Sequence, residues 1–151
     1  MDLEDILIEY GKSMNLGKLQ LDSSGVCTIL INDNLISFEK TLDKEGFYLY
    51  ASIGSLPPDR ELSISLMALE ANLFGKETGH ANIGYEEQSR TLVLFEYFHE
   101  SSLDYGLFMQ RFNEFAQYLF YWITKLESVE HLPQVPREEE NLSKQKKIYY
   151  A

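Results

Sequence analysis

Three stretches rich in β-branched and aromatic residues follow one another between Val26 and Ile53, separated by turns of only a few residues. Val26–Ile31 runs into Asn32-Asp33-Asn34, then comes Leu35–Lys40, then the turn Asp43-Lys44-Glu45-Gly46, then Phe47–Ile53. The runs have strand composition, and Asn, Asp and Gly suit the turns. A parallel crossover needs a dozen or more residues, so these strands can join only as an antiparallel meander. The rest of the chain must pack around that sheet.

The flanking segments supply helices. Leu3, Ile6, Leu7 and Tyr10 recur at helical spacing, with Asp2 at the cap position, Asp5 in the first turn, and Gly11 or Gly17 as the stop. Pro57-Pro58-Asp59 ends the sheet and is expected to cap a second helix. There Leu62, Leu66, Leu69 and Leu73 form one stripe, Ile64, Met67, Ala68 and Ala71 widen the apolar surface, and Gly75 is the end. After a polar loop, Ala81–Tyr85 and Arg90–Phe98 read as two further strands. Ser101 with Asp104 matches a capping box for a long helix to about Glu127, carrying Phe108, Phe112, Phe115, Leu119 and Trp122. Pro133 and Pro136 break that pattern. The order α-β-β-β-α-β-β-α predicts an α+β domain over residues 1–132, an antiparallel sheet packed with helices. A flexible charged tail is expected at 133–151.

Composition narrows the function classes. Thirteen basic residues against twenty-four acidic ones give a net charge of −11 over 151 residues. Residues 137–151 hold four basic and three acidic residues, leaving nine against twenty-one, or −12, before them. A nucleic-acid reader needs a basic face to displace counterions, and an anionic membrane repels this charge, so no nucleic acid and no membrane insertion are expected. The N-terminus has no signal-peptide pattern, and no apolar run approaches the roughly 20 residues that span a bilayer. A cytoplasmic protein is the simplest expectation.

Candidate chemistry is sparse. His80, His99 and His131 have no metal partner at ligand spacing, and His99-Glu100 departs from the zincin motif because Leu103 stands where a second His belongs. Cys27 lies in an apolar strand and reads as a structural thiol. No nucleophile elbow, phosphate loop or dinucleotide fingerprint occurs. No catalytic residue, metal or cofactor is expected, although a site assembled in space leaves no motif.

Apolar surface beyond the needs of one core is the stronger signal. Leu30 falls opposite Cys27, Ile29 and Ile31, and Tyr48 and Tyr50 fall opposite Phe47 and Leu49. Both faces of Arg90–Phe98 are apolar, and Glu96 shares a face with Leu92 and Leu94, which marks that face as the outer one. Leu30, Tyr48, Tyr50, Leu92 and Leu94 are therefore expected to form an exposed partner patch, unless the first or third helix covers it. The second helix is apolar on two sides, as a helix is inside a domain or at a two-fold subunit contact.

Leu66-Met67-Ala68-Leu69-Glu70-Ala71-Asn72-Leu73-Phe74-Gly75, then Thr78-Gly79-His80-Ala81-Asn82-Ile83-Gly84-Tyr85, resembles class I type III secretion chaperones, the Tir chaperone family. That family shows a leucine-Glu-Ala-Asn-leucine-aromatic helix end, a Gly-containing loop and a small-x-apolar-Gly strand. Thr91–Phe95 and the long helix ending near Trp122 extend the likeness over about residues 1–128, while His80 stands where Gly is common. The resemblance implies a homodimer in the bacterial cytoplasm that holds the N-terminal region of secreted effector proteins extended and secretion-competent. It implies no enzymatic activity and no ATP use. It also implies delivery to the secretion apparatus, with the secretion ATPase as a partner to expect. The family's dimer contact carries over onto Leu62, Leu66, Leu69, Leu73 and Ile83. The rival readings are a small adaptor or regulatory protein that binds a folded partner, and an enzyme with a spatially assembled site.

Overall fold

The computed structural model describes residues 1–130. The tail expected at 133–151, and with it the boundary at 132, lies outside the described residues. Helix α1 spans Leu3–Ser13, strands β1, β2 and β3 span Val26–Ile31, Asn34–Lys40 and Gly46–Ser55, and helix α2 spans Glu61–Asn72. Strands β4 and β5 span Asn82–Glu86 and Thr91–His99, and helix α3 spans Tyr105–Glu130. Short 3-10 turns lie at Leu73–Gly75 and Glu100–Ser102. The five strands form one antiparallel sheet in the order β1-β2-β3-β5-β4, so the meander is joined by the β4–β5 hairpin on its third strand. The α+β class and the element order agree with the sequence reading.

Several local devices differ from expectation. Asp2 caps α1 as expected, its Oδ1 accepting from Asp5 N–H at 2.9 Å. The helix stops at Ser13 with Gly11 inside its last turn, because the chain folds back there. A Cβ on Gly11 would stand 2.4 Å from the Gly17 carbonyl oxygen. Asp59 does not cap α2: Arg60 is the cap residue, and its guanidinium donates instead to the Val129 carbonyl of α3. Ser101 lies in a 3-10 turn, so no capping box forms. Asp104 is itself the cap, its Oδ1 accepting from Leu107 N–H at 2.8 Å.

All three helices share one core with one face of the sheet. Leu3, Ile6, Leu7 and Tyr10 of α1 meet Phe108, Phe112, Phe115, Leu119 and Trp122 of α3, and Ile64, Ala68 and Ala71 of α2 join the same cluster. From the sheet come Cys27, Ile29, Ile36, Phe38, Phe47, Leu49, Ala51 and Phe98. Period-2 alternation therefore leaves the opposite face of β1, β2, β3 and β5 outside this core.

Candidate functional site: an aromatic sheet face and an exposed helix stripe

The register fixes which side chains line the outer face. One cross-strand row runs Thr28–Ser37–Tyr50–Phe95–Asn82 and the next runs Val26–Glu39–Tyr48–Tyr97, with Leu30 opposite Leu35 at the hairpin end. Tyr48 touches Tyr97 and Phe95, with ring centroids 5.1 and 6.3 Å apart. Tyr50 donates to Glu39 Oε2 at 2.9 Å. Burial, and then this carboxylate, raise the Tyr50 phenol above its ordinary pKa, so it remains a donor. Thr28 and Ser37 hydroxyls share a bond of 2.8 Å. Leu30 and Leu35 are 63 % and 62 % exposed. The result is an aromatic centre flanked by two leucines and by hydroxyl and carboxylate groups. It can take apolar side chains and, at Glu39, a cation.

Leu30, Tyr48 and Tyr50 lie on this face as expected, but Leu92 and Leu94 do not. They are 3 % and 0 % exposed and point into the core beside Ala51 and Ile83. Glu96 was a misleading marker of the outer face, because it is itself buried opposite Leu49. Arg111 of α3 reaches it, with Nε donating to Oε1 at 2.5 Å, and also donates to the Tyr97 carbonyl and lies 4.4 Å over the Phe98 ring. Burial pushes the Glu96 carboxyl up, and Arg111 opposes that shift. The face is instead built by Val93, Phe95 and Tyr97, together with Leu35, none of which the sequence reading selected. The pairing of Phe98 with Phe47 fixes the inward set of β5, and that register is not displayed by the sequence.

The two sheet edges differ. At β4, Asn72 uses its whole side-chain amide on Ile83, accepting from its N–H at 2.7 Å and donating to its carbonyl at 2.9 Å. That occupies the backbone groups an added strand would need there. At β1, Asp22 closes Val26 in the same way, with Oδ1 accepting from Val26 N–H at 3.0 Å and Asp22 N–H donating to the Val26 carbonyl at 2.8 Å. Lys40 N–H bonds the Gly25 carbonyl across to β2, so Thr28 and Leu30 aim their backbone groups away from β2. Among the described residues no backbone hydrogen bond to the outward groups of Thr28 or Leu30 is present.

Helix α2 presents the second apolar surface. Ile64, Ala68 and Ala71 face the core, while Leu62, Leu66, Leu69 and Leu73 are 50–65 % exposed. Ile83, expected beside them at a subunit contact, is buried in the core of its own chain and held by Asn72. Beyond the helix, Phe74 is 93 % exposed and has φ 57°, ψ 24°, the left-handed region. For a residue with a Cβ that conformation costs about 1–2 kcal/mol. The following loop enforces it. Glu77 N–H donates to the Ala71 carbonyl, and Trp122 Nε1–H donates to the Glu77 carbonyl at 2.7 Å. The Glu77 carboxylate binds Tyr121 and Lys125, which lower its pKa.

The side chains that could carry chemistry stay separate. His80 bonds Glu114 at 2.6 Å in the open, and burial raises the Cys27 thiol, which leaves it protonated. Among the described residues no group of three or more His, Cys, Asp or Glu could hold a metal ion. No described helix is long and apolar enough to cross a membrane.

A family model described as the Tir chaperone protein (CesT) family matches residues 5–122. A Chlamydia pneumoniae protein, CPj0713/CpB0740, is 24 % identical over 127 residues, covering 82 % of this chain and 95 % of that protein. Three solved structures share the fold. The ExsC–ExsE complex has a TM-score of 0.68 at 18 % identity and covers 83 % of this chain and 97 % of its own. The HopA1–SchA chaperone–effector complex has 0.66 at 14 %, with 80 % and 92 % covered. The heterodimeric ExoU–SpcU complex from the type III secretion system of Pseudomonas aeruginosa has 0.64 at 16 %, with 83 % and 98 % covered.

Proposed function

The chain belongs to the Tir chaperone protein (CesT) family, and we propose that it is a type III secretion chaperone holding the N-terminal region of secreted effectors in an extended, secretion-competent form. The observation that carries this reading is the family match over residues 5–122, which spans both the aromatic sheet face and α2. The HopA1–SchA chaperone–effector complex, which shares this fold, supports it, as does the ExoU–SpcU heterodimer from a type III secretion system.

The proposed contact has two parts. Apolar side chains of the unfolded segment settle on Leu30, Leu35, Tyr48, Tyr50, Phe95 and Tyr97. Its backbone adds as a strand along β1 at Thr28 and Leu30, because β4 is short and Asn72 already occupies the backbone groups of Ile83 on that edge. A disordered segment loses conformational entropy on binding, which a broad contact of this type offsets. The charge of −12 before residue 137 favours a basic segment and keeps loaded complexes apart. Two copies pair through Leu62, Leu66, Leu69 and Leu73. The complex works in the bacterial cytoplasm and hands its cargo to the secretion apparatus, the secretion ATPase included, with no catalytic step of its own.

Co-expression of the full chain with the N-terminal segment of an effector encoded beside it is expected to yield a stable complex of two copies per segment. Failure with every co-encoded effector, together with capture of a folded partner, would favour an adaptor instead.

A further inference from the structure

We infer that Phe74 is the anchor of the contact between two copies, held in a strained, preformed position by its own loop. This rests on the two-copy reading above and deepens it by naming the residue on which the contact turns.

Three observations converge on it. The exposed leucines of α2 stand at Leu62, Leu66 and Leu69, and Leu73 at the helix end extends them to the four-three-four spacing of a helix-pairing seam. No charged residue interrupts that seam between Leu62 and Leu69. Among the described residues no second exposed stripe of this spacing occurs, so the complementary surface is the same stripe on a second copy, related by a two-fold axis. Phe74 continues the seam just beyond the helix end, and at 93 % exposure its ring has no cover within its own chain.

The backbone makes Phe74 more than one exposed apolar residue among others. Leu42 is fully exposed too, with no unusual backbone, and calls for no explanation. Phe74 combines an uncovered ring with a left-handed conformation that glycine adopts without cost, as Gly75 does next to it at φ 65°. The bonds Glu77–Ala71 and Trp122–Glu77 fix that turn whatever side chain sits at position 74. The ring is thus presented by a rigid frame, so little is lost in ordering it on contact. Strain of this kind persists where it serves a site. Aromatic side chains that become buried on contact carry much of the affinity of an interface.

The inference predicts opposite effects of one substitution on two properties. Phe74→Gly removes both the ring and the strain, and Phe74→Ala removes the ring alone. Sedimentation equilibrium on the full chain should show both variants dimerising at least about thirtyfold more weakly than wild type, about 2 kcal/mol. Phe74→Tyr should keep wild-type affinity. In a Leu66→Asp background, where the chain is monomeric, Phe74→Gly should raise the unfolding midpoint by a few degrees. A wild-type chain that is monomeric at tens of micromolar would remove the two-copy reading and this inference with it. A wild-type dimer dissociated by Leu66→Asp but unchanged within threefold by Phe74→Ala and Phe74→Gly would overturn the anchor alone. So would loss of effector binding in the Phe74 variants with the dimer intact, because the ring would then belong to a different contact.

Discussion

At the residue scale, Glu96 decides how the sheet is read. A carboxylate on a strand ordinarily marks the solvent side, and here it sits in the core because Arg111 reaches it from α3. Taking one partner away strands the other charge, so Arg111→Met should lose about 3 kcal/mol of stability in urea unfolding at pH 7. The pH profile has a defined sign. Burial raises the Glu96 carboxyl in the folded chain, which therefore binds its proton more tightly than the unfolded chain does. That contribution is full below the ordinary carboxylate range and is lost as pH rises through the higher folded value. Unfolding free energy measured against pH should show this decline in wild type and lose it in Glu96→Gln. Trp122 carries a second local prediction. Trp122→Phe keeps most of the packing but leaves the Glu77 carbonyl without its donor, at a cost of about 1 kcal/mol, read from the same unfolding curves.

Most elements were legible in the sequence, and their faces less so. The meander followed from turn length alone, and α1 and α3 from apolar periodicity. The outer placement of Leu30, Tyr48 and Tyr50 followed from alternation within single strands. Leu92 and Leu94 were misplaced because β5 is apolar on both faces, and the residue that seemed to break the tie has its partner on another element, fifteen positions away. The stripe on α2 is visible as spacing, whereas Ile83 enters the expected subunit contact only through the family resemblance, and its link to Asn72 is not legible in the sequence. The left-handed turn at Phe74 had only the neighbouring Gly75 as a hint.

Asn72 and Leu66 give the predictions at the scale of elements. Asn72→Ala leaves both backbone groups of Ile83 without partners, which should cost about 1–3 kcal/mol and open the β4 edge to pairing between chains. Unfolding curves and light scattering at rising concentration would register the two effects. Leu66 is exposed in the single chain, so Leu66→Asp should change the stability of the monomer by less than about 0.5 kcal/mol. The same substitution should convert a dimer to a monomer in sedimentation. An unchanged dimer would exclude α2 as the contact.

On the scale of the whole molecule, the parts divide the work. One core takes a face of the sheet and a side of every helix. Two of the apolar surfaces left outside are contiguous, the aromatic face beside β1 and the stripe along α2. One suits an extended chain, with an open edge next to it; the other suits a copy of itself. The family provides the setting in which both are used. The most direct test is hydrogen exchange on the full chain with and without the N-terminal segment of a co-encoded effector, with the mass of the complex measured alongside. The account predicts two copies per segment and strong new protection of the Thr28 and Leu30 amides, with Ile83 unchanged. Binding that leaves the β1 amides exchanging as before, or that requires a folded partner domain, would contradict it.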